Sequence, residues 1–126
     1  MILNLTDLSN EPLQAQIVRQ IIAMILSGDL KGEDSLPSIR QLARDEKISV
    51  ITVQRAYETL EREGFIHSRR GKGFYVSVLE NEAKKGIALE RLKEKIEPII
   101  KVALSEGMKI SEIKRTITDL INSIEE

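Results

Sequence analysis

The sequence predicts a mainly α-helical chain with one small β-hairpin, and three observations predict it. Apolar residues recur every three or four positions over most of the length, the period of a helix with one buried face. That period gives way to β-prone segments only between Phe65 and Val78. Aromatics make up 3% with no Trp, so the core is one of Ile, Leu and Val. At 126 residues, a single domain with a small appendage is the default. Apolar residues at 41% and charged ones at 31% describe a soluble globular chain rather than a disordered one. The chain has no Cys, which excludes disulfides, thiolate metal sites and cysteine nucleophiles and fits a cytoplasmic protein. No run approaches the roughly 20 apolar residues that span a bilayer, and the N-terminus lacks a signal-peptide layout.

Residues 1–10 read as an extended arm. Asn10, with Glu11 and Pro12 behind it, is a helix-start signature. Leu13, Ile17, Ile21 and Ile25 then carry the apolar stripe, widened by Val18, Ile22 and Met24, until Gly28 stops the helix. Residues 29–37 are rich in turn formers and read as a loop. Ser38 caps a short helix with Ile39, Leu42 and Ala43 inward, ending near Lys47. Ser49 caps a third helix with Val50, Val53, Ala56, Tyr57 and Leu60 on one side, ended by Gly64. Two such helices joined by a short turn read as a helix-turn-helix. The segments Phe65–Ser68 and Gly73–Val78 flank a tight Arg-Arg-Gly-Lys connection, a hairpin signal. A hairpin directly after a helix-turn-helix makes a winged helix-turn-helix domain, which we place at residues 1–78.

The remainder, 79–126, reads as a helical dimerisation domain. Residues 80–86 carry no apolar period and read as a hinge. Leu89, Leu92, Ile96, Ile99 and Ala103 step by three and four, with Ile100 and Leu104 alongside. Pro98 predicts a kink there, since it removes a backbone donor and crowds the carbonyl of Glu94. Glu106-Gly107 breaks the helix, and Ser111 caps a last one carrying Ile110, Ile113, Ile117, Leu120, Ile121 and Ile124. These two helices present more apolar surface than they can hide between themselves. Leu92, Ile96, Ile99, Ala103, Ile113, Ile117, Leu120 and Ile124 are therefore the candidate contacts with a twofold mate. The competing reading folds both helices back on the first domain.

The net charge of −1 gives no bulk attraction for nucleic acid. Residues 1–80 hold 10 basic and 11 acidic side chains, the rest 9 and 9, so any such surface must come from local clustering. Two clusters qualify. The third helix has no acid from Ser49 to Ala56, and Ile51, Thr52, Gln54 and Arg55 face away from its apolar stripe. Free N–H groups, short hydroxyls and no negative charge suit a phosphate, while Arg55 suits a guanine edge and Gln54 an adenine. The competing reading is an ordinary amphipathic helix with a solvated polar face. Arg69, Arg70 and Lys72, about Gly71, form the second cluster, able to straddle a backbone or enter a minor groove. As a bare basic turn it would merely be solvated. Arg40 and Arg44, one turn apart, could face the same duplex. His67, the only histidine, shares no face with a carboxylate cluster and reads as structural, and the parts of a catalytic triad or metal site are missing.

Three segments together resemble a family: Leu36-Pro37-Ser38-Ile39-Arg40-Gln41-Leu42-Ala43, then Thr52-Val53-Gln54-Arg55-Ala56-Tyr57 through Leu60-Glu61-Arg62-Glu63-Gly64-Phe65-Ile66, then Gly71-Lys72-Gly73-Phe74-Tyr75-Val76. Over residues 11–78 they look like a GntR-family winged-helix domain, and the short two-helix tail resembles the YtrA-like subfamily. The resemblance implies DNA contacts at Arg40, Ser49, Thr52, Arg55 and Gly71, and C-terminal helices that pair two chains. Val50 stands where the family often has a polar or basic residue, so it either touches a thymine methyl or only packs. The expectation is a cytoplasmic, homodimeric transcriptional regulator, read as a repressor, on a near-palindromic double-stranded operator. Its candidate DNA-binding residues are Ser38, Arg40, Ser49, Val50, Thr52, Gln54, Arg55, Arg69, Arg70, Gly71 and Lys72, with no cofactor, metal or catalytic group. A winged helix that binds protein instead of DNA is the alternative, and an enzyme a distant third. The forty-odd residues after the hinge are few for a ligand domain, which leaves a pocket at the dimer seam as the place for any effector.

Overall fold

A computed structural model describes residues 1–126, in the order α1 (Leu13–Ser27), α2 (Ile39–Glu46), α3 (Val50–Arg62), β1 (Ile66–Arg69), β2 (Gly73–Val76), α4 (Asn81–Ser105) and α5 (Ile110–Glu125). The chain divides into two compact units, Met1–Lys84 and Lys85–Glu126, with the division falling inside α4.

In the first unit the apolar stripes meet as their periodicity demands. Ile17, Ile21, Ile22 and Ile25 of α1 are buried with Leu42 and Ala43 of α2. Val53, Ala56, Tyr57 and Leu60 of α3 join them, and Ile66 and Val76 close the core from the hairpin. Val50, expected in that stripe, is 45% exposed. It is the first residue of α3.

α1 starts later than Asn10 predicts. Pro12, with ψ 148°, is the extended residue before the helix, and no side chain caps it. The reason lies in Gln16, a polar residue that is only 1% exposed. Its Oε1 accepts from the Thr6 N–H at 3.0 Å, and its Nε2 donates to the Thr6 and Glu11 carbonyls, both at 2.8 Å. One turn on, Gln20 repeats the pattern with the N–H and carbonyl of Asn4, both at 2.8 Å. Four helical residues rise about 6.0 Å and two extended ones about 6.6 Å. The arm therefore runs antiparallel along α1 in register with its glutamines, and Leu3 is buried behind it.

Gly28 closes α1 in the left-handed conformation, φ 91°. The following segment, expected as plain loop, pairs with β2. The Glu33 N–H donates to the Val76 carbonyl at 2.8 Å, the Val76 N–H to the Asp34 carbonyl at 2.8 Å, and the Leu36 N–H to the Phe74 carbonyl at 2.9 Å. The hairpin is antiparallel with Ile66 opposite Val76 and Arg69 opposite Gly73. Its strands are shorter than predicted, although the Ser77 N–H still donates to the Phe65 carbonyl at 3.0 Å.

Of residues 80–86, expected as a hinge, 81–86 are the opening turns of α4, which runs unbroken through Pro98 to Ser105. Lys84, Lys85 and Ala83 are good helix formers, and a single glycine, Gly86, does not stop a helix with this much on either side. α5 begins before Ser111: the Glu112 carboxylate reaches back to accept from the Lys109 N–H at 2.9 Å, so Lys109 takes the cap position. No helix is long and apolar enough to cross a membrane.

Candidate nucleic-acid interface

Both short helices start as the sequence predicts. Ser38 Oγ accepts from the Gln41 N–H at 3.1 Å, and Ser49 Oγ accepts from the Thr52 N–H at 3.2 Å. Each hydroxyl keeps its own proton, so a capping serine can still donate to a phosphate oxygen. The first turn of α3 contains no acid. Ser49, Val50, Ile51, Gln54 and Arg55 are exposed there, Thr52 is half-buried, and Arg40 and Arg44 are exposed on α2.

α2 and α3 are fixed to the loop before them by Tyr57. Its ring is fully buried, its hydroxyl donates to the Pro37 carbonyl at 2.8 Å, and Phe74 of the hairpin meets it edge-on at 5.0 Å. Burial pushes the phenol well above its ordinary value, so it remains a donor. Pro37 immediately precedes the Ser38 cap, and one aromatic thus sets α2, α3 and the hairpin against each other.

The wing is tied to one exposed flank of α3. Glu61 Oε2 accepts from both the N–H and the hydroxyl of Ser68 in β1, each at 2.9 Å. Glu61 follows Val50 by eleven residues, three helical turns, so the two point the same way to within about 20°. The hairpin is therefore fastened to the face that presents Val50 and Gln54. Its turn holds Arg70, Gly71 and Lys72, all exposed, and Gly71 has φ 72°, which favours glycine there.

The three wing cations are not equivalent. Arg69 forms an ion pair with Glu33 and lies 4.3 Å over the Tyr75 ring, whose other neighbour is the stacked His67. His67 Nδ1 also lies 3.3 Å from Ser77 Oγ, a structural placement. Arg69 is thus engaged by groups of this chain, whereas Arg70 and Lys72 are exposed at the tip of the wing. On α3, Gln54 Nε2 donates to Glu58 Oε1 at 3.2 Å, so its amide is engaged along the helix. Sequence reading missed Glu33, Glu58, Glu61 and Tyr75. Only Glu58 carried a local signal, its four-residue spacing from Gln54.

In the second unit Ile113 is the one buried residue of α5, and α4 has none. Ile96, Ala103 and Ile117 are half-buried, while Leu92, Ile99, Leu120 and Ile124 are exposed, Ile124 by 82%. All but Leu92 line a groove of about 350 Å³ together with Met108 and Ile121.

A helix-turn-helix whose second helix offers an acid-free start beside a basic hairpin is the surface of a winged helix-turn-helix nucleic-acid-binding protein. The profile of the bacterial regulatory proteins of the gntR family matches residues 13–76. The HTH-type transcriptional repressor YtrA of Bacillus subtilis is 32% identical over 112 residues, 89% of this chain and 86% of that protein. A GntR family transcriptional regulator from Listeria monocytogenes superposes with a TM-score of 0.75 at 27% identity, over 88% of this chain and 96% of that one. The DNA-binding domain of AraR in complex with operator ORX1 superposes at 0.52 and 25% identity, over 61% of this chain and 95% of that one. The chain belongs to the gntR family and is a DNA-binding transcriptional regulator.

Proposed function

We propose that this regulator is a cytoplasmic repressor that binds a near-palindromic operator as a homodimer and carries no enzymatic activity. The likeness to a protein named a transcriptional repressor supports the direction of control. The observation that carries the DNA contacts is the tie of the wing to α3, where Glu61 holds Ser68 on the flank that also presents Val50 and Gln54. On this reading residues 1–78 dock on DNA. The start of α3 enters the major groove, where Arg55 reads a guanine and Gln54 an adenine. Ser38, Ser49 and Thr52 donate to phosphates, with Arg40 beside them. Arg70, Gly71 and Lys72 lie on the backbone or in the minor groove.

Residues 79–126 pair two chains through Leu92, Ile96, Ile99, Ala103, Ile113, Ile117, Leu120 and Ile124. A unit with one buried residue in two helices lacks a core of its own, and a second copy supplies the missing half. The test is a binding titration with an operator enriched from a random duplex pool. Arg55→Ala should weaken binding by about 1–3 kcal/mol and relax preference at one base position. An enriched operator without twofold symmetry, or an unaltered base preference in the variant, would refute the docking.

A further inference from the structure

Val50 and Ile51 open α3 and are 45% and 58% exposed. Neither serves the core, which Val53, Ala56, Tyr57 and Leu60 fill. At 3.6 residues per turn Val50 lies one turn before Gln54, and Ile51 one turn before Arg55. The leading edge of the reading face is therefore apolar and the turn behind it polar. Both side chains are β-branched and stiff at χ1, so each presents methyl groups in a nearly fixed direction. Such a surface has no hydrogen bond to offer a base edge. The apolar feature that the four ordinary bases expose in a B-form major groove is the C5 methyl of thymine.

We propose that Val50 and Ile51 are specificity-determining residues that select thymine in each half-site by packing on its 5-methyl group. This rests on the operator-binding reading above. Gln54 and Arg55 then read the neighbouring bases through hydrogen bonds, and the apolar pair fixes how far the helix enters.

Replacing thymine by uracil in the DNA tests this directly, because deoxyuridine keeps every hydrogen-bonding group of thymidine and lacks only the methyl. The wild-type protein selects an operator from a random duplex pool, and that operator is remade with deoxyuridine at one thymine position at a time. Anisotropy titration of the wild type should show about a fourfold loss at one or two positions per half-site, the size expected for burying one methyl. A protein carrying both Val50→Ala and Ile51→Ala should be indifferent to the same changes, while its circular dichroism matches the wild type. Wild-type binding within twofold for every uracil operator would overturn the proposal, as would equal sensitivity in the double variant. In both cases specific binding persists and the operator reading stands. If the pool yields no preferred sequence, the operator reading fails and this proposal with it.

Discussion

Removing Arg70 and Lys72 together, by substitution with alanine, examines how the wing holds a duplex. Both side chains extend from the tip, whereas Arg69 is held by Glu33 and by the Tyr75 ring. Each phosphate neutralised on B-form DNA contributes about 0.9 to the slope of log affinity against log salt, so two cations account for about 1.8 per wing. Between about 0.05 and 0.2 M salt, a slope of about 1.8 corresponds to roughly a twelvefold change in affinity. The double variant should lose that much salt dependence for each wing on the duplex. Arg69→Ala should change the slope by less than about 0.5, because its charge is already answered inside the protein. Fluorescence anisotropy of a labelled operator across a salt series measures both. An unchanged slope in the double variant would show that the wing makes no phosphate contact. A full loss from Arg69→Ala alone would show that the ion pair with Glu33 opens on DNA.

Tyr57→Phe should lower stability by about 1–2 kcal/mol, since it leaves the Pro37 carbonyl without its partner. Because burial raises the Tyr57 phenol in the folded state, the unfolded chain ionises first, near the ordinary value of 10.0, and wild-type stability should fall as pH rises beyond it. Denaturant titrations should find that alkaline decline shallower in Tyr57→Phe; an equal decline would assign it to other groups. Gln16→Leu should release the arm, so that limited proteolysis cuts within residues 1–11 ahead of the rest, and unaltered cleavage would mean that Gln20 and Leu3 suffice to hold it. Leu120→Glu combined with Ile124→Glu should give a monomer in sedimentation equilibrium, whereas a persisting dimer would place the pairing surface elsewhere.

The helices of the first unit were legible because each has a periodic apolar stripe and, for α2 and α3, a serine at its start. What escaped depends on residues distant in the chain. Gln16 and Gln20 look like surface residues until an extended arm is laid beside them. Glu33 looks like a loop acid until β1 brings Arg69 across. The basic tip and the acid-free start of α3 were readable from the sequence alone, but the tie between wing and α3 depends on Glu61 meeting Ser68, which no local pattern announces. The helical start of α4 was not legible because lack of an apolar period marks an uncovered helix as readily as a hinge, and α4 has no buried residue. Ser111 misled for a related reason: a glutamate three residues after the cap, here Glu112, can begin a helix without a capping hydroxyl.

The single buried side chain of α5, Ile113, has a consequence for dosage. If the tail completes itself only against another copy, its order becomes a function of how many molecules the cell holds. At low abundance the chains would be mostly single, each with one reading head and weak hold on DNA. Doubling the number of molecules would then more than double the paired form, and promoter occupancy would climb more steeply than protein level. Synthesis rate would itself set the threshold of control, with no ligand required.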